Sequence, residues 1–119
     1  MTALETDPLR ARLKELEQET DFDFVVELID IFLAETPKQL ETIEAALSTR
    51  DLQALMIAAH TLKGSGKNLG ASQLGTLCFI LEDIGRNGKE IPDGTSTKEI
   101  REEFARVKST LLAYKQHSL

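Results

Sequence analysis

Hydrophobic spacing constrains this chain more than any other feature: it runs at helical period throughout, and no strand-like alternation persists beyond a few residues. Asp7 as an N-cap with Pro8 at the first helical position signals a short first helix, with Leu9, Leu13 and Leu16 on one face. The spacing predicts a second helix from about Phe22 to Ala34, with Val25, Leu28, Ile29 and Phe32 as its core stripe. Val26, Ile31 and Leu33 fall off that stripe, so this helix is apolar nearly all round and is either deeply buried or partly kept for a partner. Thr36-Pro37-Lys38-Gln39 has the form of a capping box with proline at the first position. It predicts the start of a third helix with Leu40, Ile43 and Leu47 inside. Ser48 to Asp51 makes a tight connection, and Asp51 can cap a fourth helix carrying Leu52, Leu55, Ala59 and Leu62, fraying around Gly64 to Gly70. Gly70 is the break before a fifth helix from about Ser72, bearing Leu74, Leu77, Cys78, Leu81, Ile84 and Gly85. Arg86 to Gly94 reads as the long loop, and Ser96 with Glu99 as a capping box for a last helix with Ile100, Phe104, Val107, Leu111 and Tyr114. The expected fold is all-α: an antiparallel four-helix bundle with an additional short N-terminal helix, residues 1–119 forming a single domain.

Composition narrows the function classes. With 119 residues, 41% of them hydrophobic, the chain can bury a real core. No apolar run approaches the roughly 18 residues of a membrane span, and the first residues lack the basic and apolar regions of a secretion signal, so a cytoplasmic protein is expected. Cys78 is the single cysteine and lies on a core stripe, which leaves no internal disulfide and no zinc cluster. A net charge of −6 argues against nucleic acid or an anionic membrane as partner. One stretch breaks the acidic trend: between Leu52 and Ile80 there is no acid, while Lys63 and Lys67 follow His60.

On a helical wheel of about 100° per residue, His60 lies away from the core stripe, toward solvent. Lys63, Gly64 and Lys67 follow it by three, four and seven residues and share its face. Each has a chemical use. A neutral imidazole nitrogen can attack a phosphoryl group, two ammonium groups can neutralise phosphoryl oxygens, and a glycine one turn along leaves room for another protein's active site. No Walker-type phosphate loop and no carboxylate cluster for magnesium occur, so the chain is expected to pass phosphoryl groups on without drawing them from ATP. A lone helical histidine is more often structural than reactive, and the lysines and glycines alone would read as solvated charges and a helix end. Their concurrence on one exposed face separates this histidine from that background.

The run Ala59-His60-Thr61-Leu62-Lys63-Gly64-Ser65 resembles the signature of the histidine phosphotransfer (HPt) domains, a histidine followed three residues later by Lys and then Gly. The likeness continues through Leu69-Gly70-Ala71, Leu74, Leu77-Cys78 and Leu81-Glu82 to Gly85, and the helix order is similar to the family's bundle. The resemblance implies that His60 is the phosphoacceptor, through the ring nitrogen farther from the backbone, with Lys63 steadying the phosphoryl group and Gly64 keeping the approach clear. Glu82 matches a position where the family often places a polar residue near the histidine, where it could accept a hydrogen bond from the other ring nitrogen; a solvent-facing carboxylate is the alternative. Gly66 departs from the Ser, Ala or Asn common there, which would loosen the helix past the site, and Lys67 is less uniform in the family than Lys63.

The implied partners are the receiver domain of a response regulator, bringing an aspartyl phosphate, magnesium and its own lysine, and a sensor or hybrid histidine kinase. Met56 and Ile57, with Val26, Ile31 or Leu33, could form an apolar rim for such a partner, or could pack on the short first helix. Phe79 and Ile80 lie off-stripe, toward the loop or last helix, and His117 carries no assigned role. The chain itself is expected to be a monomeric carrier without a cofactor. Two other readings compete: a helical adaptor that binds receivers without transfer, and an excised phosphoacceptor module of a chemotaxis-type kinase. His60 with Lys63 intact weighs against the first, and Met1 with a coherent last helix against the second. A helical metal site fits least, since His60 has no acidic or histidine partner at four-residue spacing on its helix.

Overall fold

The computed structural model describes residues 7–116 as five helices with no strand among them: α1 (Pro8–Glu19), α2 (Phe22–Thr49), α3 (Leu52–Leu69), α4 (Ser72–Asn87) and α5 (Lys98–Gln116). Asp7 and Asp51 cap α1 and α3 through side-chain oxygens that accept from Leu9 N and Ala54 N, each at 3.0 Å. Helices α2 to α5 close a bundle around Val25, Ile29, Leu40, Ile43, Leu55, Leu62, Leu74, Cys78, Val107 and Leu111, while α1 lays Leu9, Leu13 and Leu16 against α2 and α3. His117 lies outside the described residues.

Thr36-Pro37 does not begin a helix. The buried positions Val25, Ile29, Phe32, Thr36, Leu40 and Ile43 stay in phase across the proline, so both halves bury the same face and α2 runs unbroken. Thr36 Oγ1, instead of capping forward, donates to Phe32 O at 2.7 Å in a fully buried setting. Pro37 has no N–H to donate, and its ring faces solvent. Interior proline costs about 3 kcal/mol, and the continuous stripe offsets it.

The fraying expected over Gly64 to Gly70 is also absent. Helix α3 holds through Gly64 and Gly66 and ends at Gly70, whose φ of 93° takes the left-handed conformation that turns the chain. Gly66 is a packing position, not a loosened one: a methyl group there would touch Leu74 Cδ2 at 3.4 Å. The loop starts at Gly88 and not at Arg86, which belongs to α4. Ser96 Oγ accepts from Lys98 N at 3.3 Å, but the buried Thr97 stands immediately before α5 and donates to Glu44 Oε2 at 2.5 Å.

The α3–α4 hairpin positions the site. Near its open end the helices approach so closely that a Cβ on Gly85 would stand 2.6 Å from Leu52 O and Met56 N. Near the turn, Gly66 meets Leu74 and Lys67 meets Gly75. These contacts fix an antiparallel register that sets His60 opposite Glu82.

Candidate functional site

His60 projects from the exposed side of α3, with 62% of its side chain accessible. The positions that bury α3 are Leu55, Ala58, Ala59, Leu62, Gly66 and Leu69, which turns residue 60 outward. Across the groove, Glu82 is 1% exposed and its Oε2 lies 3.1 Å from His60 Nδ1. An ionised carboxylate can only accept, so Nδ1 carries the proton of the neutral ring and Nε2 presents its lone pair to solvent.

A buried carboxylate needs compensation, and two cations supply it. Lys63 Nζ lies 2.7 Å from Oε1, as a charge contact off the ideal hydrogen-bond direction, and Arg86 NH1 lies 2.8 Å from Oε2. Lys63, His60 and Arg86 together hold the carboxyl at about 2, below the ordinary 4.5, although burial pushes the other way. Lys63 is 18% exposed and also stands over the Phe79 ring, 5.3 Å from its centroid. Burial pushes the neighbouring Cys78 thiol up to about 12, which keeps it a neutral core side chain.

Gly64 sits one turn beyond His60 with open space around it: a methyl group there would meet nothing within 4 Å. Lys67 continues the same face, its carbon chain lying over Gly75 of α4. Thus His60, Lys63, Glu82 and Arg86 form one charged cluster, with Gly64 and Lys67 beside it.

The apolar rim is less uniform. Ile57 and Ile31 are 55% and 60% exposed and line the α2–α3 groove, Ile57 with Ala58 and Thr61, Ile31 with Ser65 and Asn68; Gln39 lines both stretches. Leu33 is half-buried against the core, Val26 is half-buried, and Met56 is half-buried with its backbone close to Gly85. Ile80 faces the loop at Gly94 to Ser96, whereas Phe79 turns to Lys63 instead of the loop or last helix. Sequence reasoning missed Phe79 and Arg86. Arg86 had a usable signal, standing four residues after Glu82; Phe79 had none that separates it from a surface aromatic.

Fold and site together define a helical-bundle module that holds one oriented histidine toward solvent. Residues 27–110 match the Hpt domain family, and the chain belongs to it. The crystal structure of histidine-containing phosphotransfer protein B (HptB) from Pseudomonas aeruginosa PAO1 superposes with a TM-score of 0.79 and 28% identity, covering 92% of this chain and 94% of that one. Histidine-containing phosphotransfer protein 2 of Arabidopsis thaliana is 33% identical over 74 residues, 60% of this chain and 47% of that protein, so the matched part is about half of the plant protein's length. Pseudo histidine-containing phosphotransfer protein 2 of Oryza sativa subsp. japonica is 28% identical over 108 residues, 88% of this chain and 71% of that protein. Hpt family members are phosphotransfer carriers that work with histidine kinases and response regulators. No described helix is long and apolar enough to cross a membrane.

Proposed function

We propose that the chain is a phosphoryl carrier in a phosphorelay, exchanging the group between His60 Nε2 and the aspartate of a receiver domain. The observation that carries this is the pairing of exposed His60 with buried, ionised Glu82 at 3.1 Å. On loading, the Nε2 lone pair forms the N–P bond as the P–O bond of the aspartyl phosphate breaks, and the carboxylate leaves with that bond's electrons. The ring keeps its Nδ1 proton and becomes cationic, and Glu82 stabilises that charge. Return transfer reverses each bond. In this proposal magnesium and the second half of the active site belong to the receiver, Lys63 shifts part of its charge from Glu82 to the phosphoryl oxygens, and Gly64 clears the approach. Ile57 and Ile31 offer the apolar contact area of the docking face.

A non-transferring adaptor is the competing reading, and the name of the rice relative raises it. An adaptor has no use for a desolvated carboxylate aimed at a solvent-facing imidazole, a costly arrangement for binding alone. The decisive test incubates the protein with a phosphorylated receiver domain and assays an acid-labile, base-stable label. Label on the wild type that is lost in His60→Gln supports transfer through His60. Label that persists in His60→Gln defeats it.

A further inference from the structure

The cations beside His60 are not equivalent. Lys63 and Arg86 are committed to Glu82, at 2.7 and 2.8 Å. Lys67, two turns beyond His60 on an exposed face, enters none of the ion pairs among the described residues. Its stem is nonetheless held. A Cβ on Gly75 would fall 2.9 Å from Lys67 Cγ, 3.1 Å from Cε and 3.6 Å from Cδ, so the carbon chain lies directly on the α4 backbone, and Gly75 is itself buried. Any larger residue at 75 would lift it off.

A receiver that carries a phosphoryl group on aspartate and binds magnesium must present carboxylates around that aspartate. A chain of net charge −6 repels such a surface unless it offers local positive charge. Lys63 is paired with Glu82 before a partner arrives, while Lys67 has no ion pair among the described residues and its rotamer freedom has already been reduced, which lowers the cost of fixing it in a complex.

We propose that Gly75 seats Lys67 as the cation that captures the acidic rim of the docking receiver, so that Lys67 acts on encounter and affinity and not on the phosphoryl group; this rests on the carrier reading above. Lys67 is therefore a docking residue, and Gly75 a positioning residue acting through it. A substitution at Gly75 that changes no charge should therefore mimic the removal of the charge at Lys67.

The test uses single-turnover transfer from a receiver domain, phosphorylated with acetyl phosphate, to the full chain. Lys67→Gln is expected to raise the half-saturating receiver concentration about threefold to tenfold at low salt, with the saturating rate within about twofold of wild type. That difference should fade toward about 1 M salt, where the Debye length is about 3 Å. Gly75→Ala should reproduce the shift with every charge retained, and the double variant should be no worse than Lys67→Gln. Melting temperatures guard against misfolding, since alanine for glycine inside a helix favours the fold. A fall in the saturating rate of Lys67→Gln with unmoved half-saturation overturns the docking role, and wild-type half-saturation in Gly75→Ala overturns the cradle. A wild type that takes no label on His60 defeats the carrier reading itself, before any variant is compared.

Discussion

Replacing Gly64 with alanine should stabilise the protein and impair its transfer. Gly64 lies inside α3 with a helical backbone, and an added Cβ meets nothing within 4 Å. The change therefore carries no steric cost, while alanine is favoured over glycine in a helix interior by about 0.8–1.0 kcal/mol. In a domain between the 100- and 150-residue classes that corresponds to roughly 4 °C in Tm. The same methyl group stands one turn from His60 on the exposed face, with Cβ atoms about 5–6 Å apart. A partner must bring its aspartyl phosphate to about 3–3.5 Å from Nε2, and a misplacement of about 1 Å costs on the order of 100-fold in rate. Transfer should fall at least about tenfold while calorimetry shows the higher Tm. Gly85→Ala provides the contrast within one helix pair. Its Cβ would stand 2.6 Å from two backbone atoms of α3, well inside the 3.4 Å at which ordinary contact begins, so the helices must part. That strain, about 1–3 kcal/mol, exceeds the propensity gain and should lower Tm. A Gly64→Ala variant with reduced Tm refutes the open-space argument; one with raised Tm and wild-type transfer refutes the clearance argument.

Glu82→Gln should lower Tm at neutral pH, and the gap to wild type should close as pH falls. The folded-state pKa of Glu82 is about 2 against an ordinary 4.5, so its ionic contribution is complete above about 4.5 and is lost on descent through 2. A gap that stays constant from pH 5 to 2, by thermal melts, contradicts the ion-pair account. Pro37→Ala should raise Tm by several degrees, because it returns an N–H to the middle of α2 at an exposed position; a gain of about 2 kcal/mol remains after the greater freedom of the unfolded chain is subtracted. Ile57→Asn should leave stability within about 0.5 kcal/mol, since the side chain is 55% exposed, yet raise the half-saturating receiver concentration in transfer assays.

What was legible in the sequence followed periodicity. The apolar stripes, the Asp7 and Asp51 caps and the Gly70 break depend on neighbours within a turn or two, and each stands where local spacing placed it. The reading failed where tertiary packing overrode local chemistry. Thr36-Pro37 carries a strong local start signal, but the stripe on either side of it stays in phase, and burial of one continuous face outweighs the missing hydrogen bond. Helix α3 persists through two glycines because α4 packs on Gly66. Within the site, the face shared by His60, Lys63, Gly64 and Lys67 was readable from spacing, as all lie on one helix. Of the partners of Glu82, only Arg86, one turn along the same helix, had a local signal; His60 and Lys63 reach it through the register between two helices.

That register explains why a buried carboxylate is tolerated beside the histidine. Glycine at 85 lets α4 approach the start of α3, and glycines at 66 and 75 let it approach the end, so the two helices lie close along their whole overlap. Close approach removes water from Glu82, and the lost hydration has to be replaced by Lys63 from α3, Arg86 from one turn along α4, and the His60 ring. The replacement leaves the imidazole with one settled tautomer, and so with one nitrogen facing solvent. The hairpin's packing and the chemistry of His60 are therefore a single arrangement. Widening the hairpin at Gly85 should let water reach Glu82, loosen its hold on Nδ1 and slow transfer even though no residue of the charged cluster has changed.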